Sequence, residues 1–248
     1  MSRLSGSTAL VTGASRGFGR GIATALAGEG ASVTGVARDR ASLAEVADQI
    51  GAQFTAVVAD AADPVVAGHL IDQVTPTVLV LNAGTAPLSR PLHLQTWESF
   101  SRPWDVDVRQ AFHWSREALL RPLAPGSVVV LMSSGAAVAG SPLSGGYAGA
   151  KGTIRFIAAY AAAESERQAL GIRFLSVLPQ LTPATDLGAA AVAAYAAREG
   201  QTVEEFTASR GPALSAGQVG QAVVDLLTDP RLDQPSYLLT SAGLRPLG

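Results

Sequence analysis

The sequence predicts an α/β fold, a doubly wound parallel sheet of about seven strands with helices on both faces. Three observations carry this expectation. Short apolar runs alternate with helical patterns along the chain, the mark of successive βαβ units. Apolar residues make up 48% of the 248 residues and charged residues 15%, which suits a sheet covered on both faces. The first apolar run also leads straight into a glycine-rich turn, Gly13-Ala14-Ser15-Arg16-Gly17-Phe18-Gly19, with a helical pattern behind it.

The elements follow in order. Residues 7–12 read as the first strand. The helix after the glycine turn places Ile22, Leu26 and Ala27 on one face and ends at Gly28 and Gly30. The second strand is Ser32–Ala37. Leu43, Val46, Ala47 and Ile50 trace the apolar face of the next helix, which Gly51 closes. Runs at 54–59, 77–81, 127–132, 172–178 and 237–240 read as the later strands. Asp63-Pro64 puts a capping residue before a proline at the first helical position. Ser215-x-x-Gln218 reads as a capping box ahead of Val219, Val223 and Leu226. With no internal repeat and no dividing linker, residues 1–248 read as one domain.

Composition excludes several functions. A net charge of −2 argues against nucleic acid or an anionic membrane surface as partner. The chain has no cysteine, which removes disulfides, thiolate catalysis and thiolate metal sites and suits the cytoplasm. No apolar signal core precedes Gly13, and no run approaches the length of a membrane span. His69, His93 and His113 lack ligand spacing, so no metal site is expected.

Two motifs carry chemistry. Glycines between a strand and a helix let the backbone approach a phosphate at the helix N-terminus, so the turn reads as a dinucleotide site. Where an acidic residue would bind the ribose hydroxyls of NAD, the second strand ends in Ala37-Arg38. Arg38, with Arg16 in the glycine turn, favours the extra phosphate of NADP(H), with NAD(H) as the alternative. Asp39 also reads as a helix cap, which would leave Arg38 and Arg40 as solvated charges. The second motif is Tyr147-x-x-x-Lys151, with Ser134 thirteen residues before the tyrosine. Residues four apart share a helix face. A cation beside a phenol favours its ionised form and fits it for proton transfer to a carbonyl or from an alcohol.

The ordered set Thr12 to Gly19, Asp60, Asn82-Ala83-Gly84, Ser134 and Tyr147-x-x-x-Lys151 resembles the short-chain dehydrogenase/reductase family in its compact single-domain branch. The resemblance spans residues 7 to about 180. It implies a seven-stranded Rossmann-type sheet, a nicotinamide cofactor and hydride transfer between a carbonyl and an alcohol. By resemblance, Gly13, Gly17 and Gly19 line the pyrophosphate, with Ser15, Arg16 and Phe18 in the same loop. Asp60 contacts the adenine, Asn82 steadies the central sheet, and Ala83 and Gly84 lie near the adenosine ribose. Ser134 holds the substrate oxygen, and Ser133 is its neighbouring rival. Tyr147 is the acid/base, and Lys151 binds the nicotinamide ribose. Residues 181–214 form a substrate lid in which Tyr195 and Phe206 either touch substrate or pack a core. The helices around 111–120 and 150–163 suggest a homodimer or homotetramer, although burial within one chain gives the same pattern.

Three positions depart from the family pattern. Asp107 stands where the fourth catalytic position usually holds Asn. Pro179-Gln180 replaces the usual Pro-Gly beside the nicotinamide, and Thr182 competes with Thr185 for the carboxamide contact. Ser241-Ala242-Gly243 replaces a C-terminal Asp-Gly-Gly. The leading expectation is an NADP(H)-dependent carbonyl reductase or alcohol dehydrogenase acting on a small to medium, mostly apolar molecule. The alternatives are an NAD(H)-using enzyme of the same family and a catalytically weak NADP(H)-binding sensor or assembly protein.

Overall fold

The computed structural model describes residues 2–247. Its centre is one eight-stranded sheet in the order β3-β2-β1-β4-β5-β6-β7-β8. The strands are β1 (Thr8–Thr12), β2 (Ser32–Ala37), β3 (Phe54–Val58), β4 (Val78–Leu81), β5 (Val128–Met132), β6 (Arg173–Pro179), β7 (Ser236–Thr240) and β8 (Gly243–Pro246). The first seven pair in parallel, and β8 turns back antiparallel on β7. The doubly wound parallel sheet is therefore as expected, with one short hairpin strand added. That strand follows Ser241 and Ala242, and Gly243 enters it at φ +111°.

The helices are α1 (Gly17–Gly28), α2 (Arg40–Ile50), α3 (Pro64–Val74), α4 (Trp97–Pro103), α5 (Arg109–Leu120), α6 (Ala136–Ala139), α7 (Gly145–Arg167), α8 (Asp186–Glu199), α9 (Val203–Ala208) and α10 (Ala216–Thr228). The anticipated caps are present. Asp39, Asp63 and Ser215 each accept a first-turn backbone N–H. Pro64 starts α3 without an N–H to satisfy.

Two apolar layers cover the sheet. One includes Ile22, Leu26, Leu43, Val219, Val223 and Tyr237, from α1, α2, α10 and the sheet. The other includes Leu70, Ile71, Trp114, Ile154 and Phe174, from α3, α5, α7 and the sheet. The long β strands are buried on both faces because each layer needs them as its floor. A third cluster of Val192, Ala196 and Phe206 belongs to α8 and α9 alone.

The chain reverses direction across the sheet between β1, which continues to β2, and β4, which continues to β5. Ligands of such sheets bind beyond the strand ends at this switch point. The glycine turn follows β1 there, and Asn82-Ala83-Gly84 follows β4.

Candidate active site

The glycine turn is held from below. Asn82 donates its side-chain amide to the carbonyls of Thr12 and Gly13, each at 3.2 Å. Thr12 Oγ1 accepts the backbone N–H groups of Asn82 and Ala83 and donates to Gln110 Oε1 at 3.0 Å. The turn and the end of β4 are thus one unit. Gly13 lies at φ +68°, and a Cβ at Gly19 would collide with the Gly13 carbonyl. No side chain caps α1, and no acidic residue lies in its first turn. The first N–H groups of α1 thus have no side-chain cap among the described residues, which fits a phosphate there. Ser15 is buried, while Phe18 is partly buried against the core.

The charges around this cradle are arranged less simply. Arg38 is exposed just past β2, and Asp39 caps α2 through Ser42 N–H at 2.9 Å. Arg16 pairs with Asp186, at the start of α8, at 3.1 Å. This contact across 170 residues was not visible in the sequence. Asp60 is exposed after β3, and its carboxylate accepts Ala62 N–H at 3.0 Å. The Trp114 indole donates to Ala61 O at 2.8 Å and fixes the same loop.

The other half of the site lies at the C-terminal ends of β4 and β5 and the start of α7. Tyr147 sits in the first turn of α7, half-buried, with Lys151 one turn later and buried. Lys151 Nζ lies 5.5 Å from the Tyr147 ring centroid and donates to Met132 O at 3.2 Å. Ser133 and Ser134 have separate positions. Ser133 is buried, and its hydroxyl donates to Lys151 O at 2.7 Å, anchoring α7 to β5. Ser134 Oγ accepts Ala136 N–H at 3.2 Å, and its proton has no partner among the described residues.

Asp107 reaches this group from the opposite side. It lies in a π turn, Trp104–Val108, between α4 and α5 and directly after Pro103. Proline cannot donate the helical N–H at its position, and widened turns often follow such breaks. Asp107 Oδ1 accepts Thr85 N–H at 2.8 Å. Its Oδ2 stands 3.1 Å from Lys151 Nζ but is poorly aligned for a hydrogen bond, so the contact is chiefly an ion pair. The two side chains are 1% and 7% exposed. Burial works against the Lys151 ammonium, but Asp107 and Tyr147 outweigh it and hold the lysine above its ordinary pKa.

The segment after β6 packs by its own polar contacts. Gln180 turns its amide to Pro212 O at 3.1 Å. Thr182 is buried and donates to Leu214 O at 2.8 Å, and Thr185 caps α8 through Gly188 N–H. Both candidate threonine hydroxyls are thus tied into residues 181–214. Pro179 ends β6, and its carbonyl accepts Gly135 N–H at 2.9 Å. Tyr195 and Phe206 stack face to face at 6.3 Å, with Phe206 1% exposed. The Tyr195 hydroxyl meets Ser141 Oγ and accepts Leu143 N–H at 3.4 Å, on the segment joining Ser134 to Tyr147. The sequence carried no signal for this contact beyond an aromatic residue at a helical position.

The family model for the short chain dehydrogenases matches residues 7–196. The chain belongs to the short-chain dehydrogenase family. It is 34% identical over 161 residues to a versicolorin reductase of Emericella nidulans, covering 61% of each chain. It is 36% identical over 160 residues to a hydroxynaphthalene reductase of Aspergillus fumigatus, covering 61% of this chain and 58% of that one. The match thus spans about three fifths of these curated relatives. A 3-ketoacyl-(acyl-carrier-protein) reductase from Brucella melitensis, solved with NADH, superposes with a TM-score of 0.78 at 26% identity, covering 96% of this chain and 97% of that one. A xylitol dehydrogenase solved with NAD+ shares the fold, with a TM-score of 0.83 at 21% identity over 96% of this chain and 98% of that one. Among the described residues of this short-chain dehydrogenase, no helix is long and apolar enough to cross a membrane, and no His/Cys/Asp/Glu group could hold a metal ion.

Proposed function

We propose that the protein is an NADP(H)-dependent oxidoreductase that interconverts a ketone or aldehyde and an alcohol. The observation that carries this reading is the buried Lys151 ammonium 5.5 Å from the Tyr147 ring centroid, on a sheet whose first strand leads into an uncapped glycine turn. A bound nicotinamide would supply or accept the hydride. Ser134, whose hydroxyl proton has no partner among the described residues, would hold the substrate oxygen. Tyr147 would give that oxygen a proton in reduction and take it in oxidation. Lys151 would bind the nicotinamide ribose and steady the phenolate by its charge.

Gly13, Ser15, Gly17, Phe18 and Gly19 would cradle the pyrophosphate, and Asn82, Ala83 and Gly84 would shape the floor beneath the ribose. Asp60 would meet the adenine, with Pro179 and Thr182 bordering the nicotinamide. Arg38 and Arg16 support NADP(H) over NAD(H) because no carboxylate occupies the end of β2. The NADH in the Brucella reductase keeps NAD(H) as a second reading. Exposed Trp104, Val138 and Leu181 lie on segments flanking Tyr147 and suit a mostly apolar substrate. The relatives named as versicolorin and hydroxynaphthalene reductases support the reductive direction. Residues 181–214 would form the lid of this single domain, and the cysteine-free composition suits a cytoplasmic enzyme. Phe112, Phe156 and Tyr160, 51%, 59% and 68% exposed on α5 and α7, support a homo-oligomer closed across these helices.

One experiment tests the chemistry and the cofactor together. Purified protein is mixed with NADPH or NADH and a panel of ketones, and nicotinamide absorbance is followed. Tyr147→Phe should lower turnover roughly 100- to 10,000-fold while cofactor still binds. Arg38→Ala should weaken NADPH binding and leave NADH binding unchanged. Unaltered turnover in the first variant, or equal losses for both cofactors in the second, refutes the corresponding part.

A further inference from the structure

The Asp107 carboxylate is a buried charge that the acid/base assignment of Tyr147 does not use. Three contacts set its position. The π turn carries it inward, Thr85 N–H binds Oδ1 at 2.8 Å, and the bare Cα of Gly84 leaves it room. A Cβ at Gly84 would lie 2.8 Å from Asp107 Oδ2. Its second oxygen has one counterpart, Lys151 Nζ at 3.1 Å. Helix α7 packs against α4, α5, α6, β5, β6 and the π turn. Asp107 and Tyr147 are the ionisable groups that hold the Lys151 ammonium in its charged form against burial.

We propose that Asp107 is a positioning residue that weakens the field of the Lys151 ammonium at Tyr147, so that the tyrosine remains a proton donor further into the alkaline range. This rests on the acid/base reading of Tyr147 above. A lone ammonium beside a phenol draws it toward the phenolate. Lys151 and Asp107 together carry no net charge. Their field at the tyrosine is that of a dipole, which falls off faster with distance than that of a point charge. The ammonium is also tied on two sides, by Asp107 and by Met132 O.

The chemical consequence differs by direction. In reduction, a bound nicotinamide would supply hydride to the carbonyl carbon, and as the C=O π bond breaks the oxygen would take the proton of Tyr147. The phenolate left behind then takes a proton from water. In oxidation the Tyr147 phenolate would have to exist first, to accept the alcohol proton while a bound oxidised nicotinamide would take the hydride. Asp107 thus widens the pH range of the first process and defers the second to higher pH.

Asp107→Asn isolates the charge, because its amide oxygen can still accept Thr85 N–H. The ionisation of Tyr147 is read from tyrosinate absorbance during alkaline titration, as the signal lost on Tyr147→Phe in the same background. In Asp107→Asn this signal should move to lower pH by about one on the pH scale, and the alkaline limb of the pH–rate profile should move with it. Asp107→Ser serves the same purpose if the asparagine variant does not fold. A tyrosinate signal at unchanged or higher pH in the folded variant overturns the proposal. A signal that moves as expected in a protein that reduces no carbonyl supports the proposal and overturns the reductase reading instead.

Discussion

Replacing Lys151 with methionine would leave the Asp107 carboxylate buried without a counter-charge. The side chains are 7% and 1% exposed and their charged atoms 3.1 Å apart. With an effective dielectric of about 20, a pair at that distance attracts by about 5 kcal/mol. Desolvation of both ions offsets much of this, so the intact pair adds little net stability. Breaking it from one side is different, because the carboxylate keeps its desolvation cost and loses its partner. The expected loss for Lys151→Met is about 3–5 kcal/mol at neutral pH. For a chain of this size that lowers Tm by roughly 10 °C. Asp107→Asn in the same background removes the stranded charge while keeping an acceptor for Thr85 N–H. The double variant should therefore recover at least ~2 kcal/mol relative to Lys151→Met. Urea denaturation followed by tryptophan fluorescence suits the measurement, since Trp114 is fully buried. Strictly additive single and double variants, with coupling below ~0.5 kcal/mol, would refute the existence of a tight buried pair.

Two further outcomes follow from local contacts. Gly84→Ala should cost about 1–3 kcal/mol by thermal denaturation, because the new Cβ would lie 2.8 Å from Asp107 Oδ2; combining it with Asp107→Ser should recover part of that loss. Arg167 donates to Glu164 through Nε and Nη2 and Gln168 adds a bond, which pulls the Glu164 pKa down to about 2, while Arg231 and its own backbone N–H do the same for Asp229. Both values are depressed by folding, so the stabilisation is present above the ordinary carboxylate range and is lost as pH falls through about 2. Carboxyl-carbon NMR titrations should show this, and Arg167→Ala should return Glu164 to the ordinary range.

The strands and the glycine turn were legible because their signals are local. Apolar runs mark strands buried on both faces, and glycines mark a turn that side chains would block. Tyr147 and Lys151 were legible for the same reason, since one helical turn places both on one face. The caps at Asp39, Asp63 and Ser215 depend on residues two or three apart and formed where expected.

What the sequence left open depends on contacts between distant segments. The thirteen-residue spacing to Tyr147 picks Ser134 over Ser133, but only the packing of α7 on β5 gives the Ser133 hydroxyl to the Lys151 carbonyl. Gln180 stood beside the expected nicotinamide, but its amide turns to Pro212 O, 32 residues away. Arg16 reads as a phosphate ligand, yet the fold sets Asp186 against it. Asp107 shows the limit most clearly. Its identity and approximate place came from the sequence, but its direction depends on a π turn that shifts the helical phase after Pro103. A phase shift within a helix leaves the residue pattern unchanged and rotates every side chain beyond it. The sequence by itself thus determined the doubly wound sheet and the tyrosine–lysine pair. Tertiary structure decided that the lysine's charge is shared with a buried acid.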